Sequence, residues 1–196
     1  MPEIILTKDG SHTLYVPELN EHYHSIHGAV QESGFIFIDN GFRYSTASPV
    51  RIFEAGFGTG LNALLTAVES SLTERKTFYT SFEKYPLPSH ITGKLNYSSL
   101  FPGEADIFRE IHSCPWNSPF DISDNFTLLK KEGDLTEMDP EGIYDLVYFD
   151  AFGPDKQPEM WTDEVFEKMA AITVPGGLLV TYSAKGSVQR SLKRAG

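Results

Sequence analysis

The sequence predicts an α/β fold, a parallel sheet covered on both faces by helices, and three observations predict it. From residue 50 onward, short apolar β-rich runs alternate with segments of helical period, the pattern of strand–helix–strand units. The first of those runs, Arg51-Ile-Phe-Glu-Ala, ends in a glycine turn, Gly56-x-Gly58-x-Gly60. Acids then stand where later strands end: Glu83, Asp134 and Asp150. Ligands in such sheets bind beyond the carboxyl ends of the strands, near the point where strand order reverses. These four loops are therefore expected to converge on one crevice.

Element by element, the chain divides at residue 50 into an N-terminal β hairpin with a substrate-side extension (1–49) and a core (50–196). Ile4-Ile-Leu-Thr and Thr13-Leu-Tyr-Val flank Asp9-Gly10, an aspartate-glycine turn of the hairpin kind. Gly34-Phe-Ile-Phe-Ile-Asp reads as a further short β segment. In the core, Leu61 to Ser70 has apolar residues at 61, 64, 65 and 68, one face of a helix. Phe78 to Lys84 is the second strand, and Leu87 to Leu95 begins a crossover helix. Pro102, Pro115 and Pro119 make Leu100 to Asp124 an irregular insertion with room for one short helix. Phe126 to Lys130 and Tyr144 to Asp150 are the third and fourth strands. Thr162 caps a helix whose first turn carries Asp163 and Glu164, which suits the helix dipole. Pro175-Gly-Gly ends it, Gly177 to Tyr182 is the fifth strand, and Ser187 to Ala195 the closing helix.

Composition narrows the classes. At 196 residues with 40% hydrophobic and 22% charged content, the chain fits one soluble globular domain. No run approaches the ~20 apolar residues of a membrane span, and the N-terminus does not read as a signal peptide. The single Cys114 leaves no intrachain disulfide and suits a reducing cytoplasm. A net charge of −11 argues against a broad polyanion-binding surface. Ser183 to Gly196 nevertheless holds Lys185, Arg190, Lys193 and Arg194 and no acid. That segment is either a solvated helix face or a small basic contact.

The glycine turn lacks the Gly-x-Gly-x-x-Gly spacing of a dinucleotide fingerprint, since Leu61 occupies the sixth position. Glu54, two residues before the first glycine, would repel a pyrophosphate. S-adenosylmethionine, with its cationic amino group and sulfonium, suits it instead. Glu83 can accept from both ribose hydroxyls, a use shared by nicotinamide and methyl-donor enzymes. Asp134 sits where an adenine amino group needs an acceptor, although Gly-Asp is also a common turn. Asp150 leaves the fourth strand beside the expected methyl position, where a carboxylate can orient an amine and take its proton. Phe152, Pro154 and Trp161 can shape a stiff apolar wall for stacking a base, or form a purely structural proline loop. His22, His24 and His27 come without a carboxylate or cysteine array, so no metal is expected. Tyr23 and His24 are candidates for the substrate mouth.

Glu54-Ala-Gly-Phe-Gly-Thr-Gly-Leu-Asn62, Phe82-Glu-Lys and Asp150-Ala-Phe-x-Pro-x-x-x-Pro-Glu-Met-Trp161 resemble the methyltransferase of 5-methylaminomethyl-2-thiouridine tRNA modification. His22-Tyr-His-Ser25, Gly28-Ala and Ser183-Ala-Lys-Gly-Ser-Val-Gln-Arg-Ser-Leu are similar to it too. The resemblance implies the Rossmann-like class I S-adenosylmethionine-dependent methyltransferase fold and a cytoplasmic enzyme acting on the wobble uridine of tRNA. It implies Asp150 as catalytic acid-base group, and Glu54, Gly56, Gly58, Gly60, Asn62, Glu83, Asp134 and Asp150 as cofactor contacts. Tyr23, His24, Phe152, Pro154, Trp161, Lys185 and Arg190 are the expected substrate contacts, with the anticodon region of tRNA as partner. Some relatives are fused to an oxidase acting on the same modification, and this chain reads as a stand-alone form. The fold normally adds two more strands, so the sheet is expected to be cut short after the fifth core strand and helix.

Overall fold

The computed structural model describes residues 2–196. Strands β1 (Glu3–Leu6) and β2 (His12–Val16) pair antiparallel across the Asp9-Gly10 turn, and a short β3 (Glu21–His22) adds to β2. The turn holds because the Asp9 carboxylate accepts from the Ser11 N–H (2.9 Å) and the Thr7 hydroxyl (2.7 Å). Helix α1 (Ala29–Ser33) then runs without a break into a wide-turned π-helix, Gly34–Phe42.

That π-helix replaces the β segment expected at Gly34 to Asp39. The alternating Phe-Ile-Phe-Ile run has the local preference of a strand, but burial decides. Phe37, Ile38 and Phe42 all go into the core from one helical face, while Phe35 is left exposed. The wide turn is carried by bonds such as Arg43 N–H to the Ile38 carbonyl, 2.9 Å. Gly41 lets the backbone lie on the sheet: a Cβ there would stand 3.1 Å from the Tyr148 ring and 3.3 Å from Val180.

The main sheet contains β4 (Val50–Ala55), β5 (Thr77–Glu83), β6 (Phe120–Ser123), β7 (Phe126–Glu132), β8 (Tyr144–Phe149) and β9 (Thr173–Val180). Its order is β6-β7-β5-β4-β8-β9, parallel except for β6 against β7. Order grows from β4 through β5 to β7 and then resumes on the other side of β4 with β8. The switch point therefore lies between the ends of β4 and β8. Period-two alternation sends Ile52, Tyr79, Leu128, Leu146 and Tyr148 to one core. Phe53, Ala55, Phe82, Val147 and Phe149 go to a second core on the other face. Helices α2 (Leu61–Leu72) and α5 (Ala105–Ser113) join the π-helix over the first; α6 (Asp163–Ile172) and α7 (Gly186–Ala195) cover the second.

Residues 87–124 hold more elements than expected, with α5 as the one short helix read in the insertion. Two short helices, α3 (Ser89–Thr92) and α4 (Tyr97–Leu100), stand in place of one crossover helix. The edge strand β6 follows Pro119, whose neighbours masked it in the sequence. The Thr162 cap is present, its hydroxyl accepting the Val165 N–H at 3.3 Å. Pro175-Gly-Gly does not separate helix from strand. β9 begins at Thr173 and carries those residues as a bulge between its pairings at Thr173 and Leu178. Among the described residues, no helix is long and apolar enough to cross a membrane.

Candidate active site

The site starts from a close backbone approach. Gly56 has φ +96°, and a Cβ there would lie 2.7 Å from the Asp150 carbonyl oxygen. The Asp150 N–H donates to the Ala55 carbonyl at 3.0 Å. Gly56 is thus required less by a ligand than by the seam between β4 and β8, which brings Asp150 beside the turn. Gly58 packs under the Tyr23 ring, and Gly60 precedes α2 against Phe57 and His112.

Around that seam stand four carboxylates in different states. Glu54 is fully buried behind the turn, accepting from the Ser81 hydroxyl (2.6 Å) and Asn62 Nδ2 (3.1 Å). Burial first, and then the charge of Asp150, push its carboxyl up to about 8. Asp150 accepts from the same Asn62 Nδ2 at 2.8 Å. Burial pushes it up to about 7, with the Glu32 charge adding to the rise and the Asn62 bond opposing it. Glu83 accepts from the Gly58 N–H (2.9 Å) and the Tyr85 N–H (2.8 Å), so it braces the glycine turn. Asp134 faces the opposite way energetically. Burial would raise it, but Lys84 Nζ (2.6 Å) and the Thr136 hydroxyl (2.7 Å) and N–H (2.9 Å) hold it at about 2.

Glu83, Asp134 and Asp150 open on one cavity of about 880 Å³, within the range of small-molecule and cofactor sites. Of the residues expected there, Tyr23, His24, Gly56, Gly58, Asn62, Glu83, Asp134, Asp150, Phe152, Pro154 and Lys185 line it. Tyr23 and Phe152 meet edge to face at 4.9 Å. His24 bonds the Thr59 hydroxyl (2.8 Å), and burial pushes its imidazole down to about 4, so it is neutral. Lys185 pairs with Asp155.

Four expectations are not met in the cavity wall. Glu54 reaches the cavity only through Asn62, and Gly60 lies outside it. Trp161 is buried among Phe149, Phe166 and Tyr182 and donates its indole N–H to the Phe152 carbonyl at 2.7 Å. It stiffens the loop from behind rather than facing a substrate, because so large an apolar ring is worth more in the second core than at a wet surface. Arg190 is exposed on α7, away from the cavity. Residues missed by sequence reasoning also line it: Glu32 from α1, Thr59, Tyr182 and Lys156. Thr59 lay inside the quoted glycine motif; Glu32 had no visible signal, since it fell in the unassigned stretch before the expected β segment.

The residues fit S-adenosylmethionine. The Oδ1 of Asn62, 3% exposed, is a buried acceptor with no partner, and the ligand's ammonium offers N–H donors. Glu83, at the end of β5, keeps lone pairs for a ribose diol.

A family described as S-adenosyl-L-methionine-dependent methyltransferase matches residues 123–196. The tRNA 5-methylaminomethyl-2-thiouridine biosynthesis bifunctional protein MnmC of Cupriavidus metallidurans is 32% identical over 208 aligned positions, covering 99% of this chain and 31% of that protein. The protein of the same name from Idiomarina loihiensis is 32% identical, covering 89% of this chain and 32% of its own length. The chain thus spans about a third of the curated relatives it matches. The crystal structure of MNMC2 from Aquifex aeolicus superposes with a TM-score of 0.79 at 28% identity, covering 100% of this chain and 64% of that one. The resemblance, fold, enzyme class and cofactor read from the sequence are borne out.

Proposed function

We propose that this S-adenosylmethionine-dependent methyltransferase, related along its whole length to the MnmC proteins, methylates the 5-aminomethyl nitrogen on the wobble uridine of tRNA. The observation that carries the reading is the placement of Asp150 in the cavity wall, oriented by Asn62 and pushed up to about 7. A base with that affinity for protons works near neutral pH. Bound S-adenosylmethionine would supply a methyl group on a sulfonium. The chain's own residues do the rest. Asp150 holds the acceptor amine and takes its proton, leaving a lone pair free. Asn62, held by Glu54, fixes which Asp150 oxygen is engaged. Tyr23, Phe152 and Pro154 give a base removed from its stack a stiff apolar surface. Lys185 and the exposed Arg190 and Lys193 are the proposed contacts to the anticodon stem. The proposed setting is the cytoplasm, with an oxidase acting on the same modification as partner activity.

The test is incubation with labelled methyl donor and tRNA from a strain lacking the modification. Label recovered in the wobble nucleoside supports the proposal. Label that enters only small amines overturns it.

A further inference from the structure

The cavity wall holds a carboxylate, Glu32, that the reaction above does not use. Glu32 enters its wall from α1, and Asp150 from the end of β8. The Glu32 Oε2 accepts the Ser25 N–H at 2.8 Å, which fixes the side chain. Among the described residues, Oε1 has no hydrogen-bond or ion-pair partner. Of the wall's lysines, Lys84 pairs with Asp134 and Lys185 with Asp155, and Lys156 donates to the Leu19 carbonyl at 2.9 Å; among the described residues none forms an ion pair with Glu32. His24 is neutral. A void whose wall holds Asp150 and an unpaired oxygen of Glu32 suits a ligand rich in N–H and positive charge.

We propose that Glu32 is the specificity carboxylate of the acceptor site, binding the substrate's amine in its protonated form and delivering it to Asp150. The inference rests on the proposed amine acceptor. An alkylammonium, R–NH3+, first pairs with Glu32. One proton then passes to the Asp150 carboxylate, giving the carboxylic acid and R–NH2. Asp150, whose proton affinity is raised by burial first and by the Glu32 charge in addition, takes that proton once the amine has left Glu32. A hydroxymethyl group of the same size can donate one neutral hydrogen bond to Glu32 but brings no charge to offset it, so the site holds it less tightly.

Binding without methyl donor tests this apart from turnover. Two anticodon stem-loop RNAs, one carrying 5-aminomethyluridine and one 5-hydroxymethyluridine at the wobble position, are titrated against the full chain. The wild type is expected to prefer the amine by about tenfold. In Glu32→Gln the preference should fall to about twofold or less, with the hydroxymethyl affinity unchanged. Gln retains an oxygen to accept the Ser25 N–H, so the melting temperature should stay put. If Glu32→Gln keeps the full preference, or weakens both RNAs equally, the specificity role is wrong while the acceptor reading stands. If the wild type shows no preference at all, the amine-acceptor reading itself falls, and the role of Glu32 with it.

Discussion

One amide, Asn62, holds two carboxylates that would otherwise repel each other across the seam of β4 and β8. It donates to both Glu54 and Asp150, and both are displaced upward, to about 8 and about 7. Replacing Asp150 by Asn removes the proton acceptor and keeps the shape. Turnover is expected to fall by about a hundredfold or more, with cofactor affinity by equilibrium dialysis within about threefold. The same displacements make stability depend on pH. A carboxyl raised by folding keeps a proton that the unfolded chain gives up, so its stabilising contribution is full below the ordinary value. It is lost as pH climbs through the folded value. The buried histidines, His24 and His112, displaced down to about 4, work the other way but have finished by about pH 6.5. Between about pH 6.5 and 8 the denaturation midpoint should therefore fall, and Glu54→Gln should flatten that slope. An equal slope in the variant would mean that Glu54 titrates normally. The residue types for this arrangement were legible in the sequence, because Glu54, Asn62 and Asp150 sit at strand ends and a helix start. What was illegible was that Glu54 turns inward: strand position fixes a side chain's face, not which buried polar groups will receive it.

The loop from Asp150 to Trp161 was the longest recognisable element, and its two ends do different work. Asp150 and Phe152 face the cavity, whereas Trp161 sits in the second core and ties the loop back through the Phe152 carbonyl. Trp161→Phe should leave that carbonyl unsatisfied and lower stability by about 1–3 kcal/mol, seen in urea melts. Saturated turnover should change little, and a collapse of turnover without loss of stability would return Trp161 to the substrate surface. Gly56 makes the complementary case. Alanine there combines a left-handed φ with a 2.7 Å approach to the Asp150 carbonyl, so both stability and cofactor binding should suffer. Core strands were readable because apolar residues at period two leave few alternatives. The π-helix at Gly34–Phe42 was not, since its residues prefer strands locally and only the surface of β8 and β9 makes a helix worthwhile. Glu32 lies just before that segment, on the short α1 that no sequence pattern announced, and it lines the cavity wall.

Charge is a property of the whole molecule, and at −11 it sets a limit on how the proposed tRNA substrate is held. Affinity for a polyanion grows with the phosphates neutralised, and each contact steepens the salt dependence by a slope of about 0.7 to 0.9. Several basic groups are already committed inside the protein: Arg43 to Glu69, Arg51 to Asp145, Arg194 to Asp163. On α7, Arg190 and Lys193 are exposed and carry no ion pair among the described residues. A molecule so composed should grip tRNA through few phosphates and rely on the wobble base for selectivity. The slope of log affinity against log salt is thus expected to be shallow, on the order of two to four. Arg190→Glu with Lys193→Glu should reduce it by up to about two and weaken modified and unmodified stem-loops alike. Preference for the aminomethyl base, set inside the cavity, should survive that double substitution. An unchanged slope would move the docking surface off α7, and a lost preference would mean that charge outside the cavity, rather than Glu32 and Asp150 within it, selects the amine.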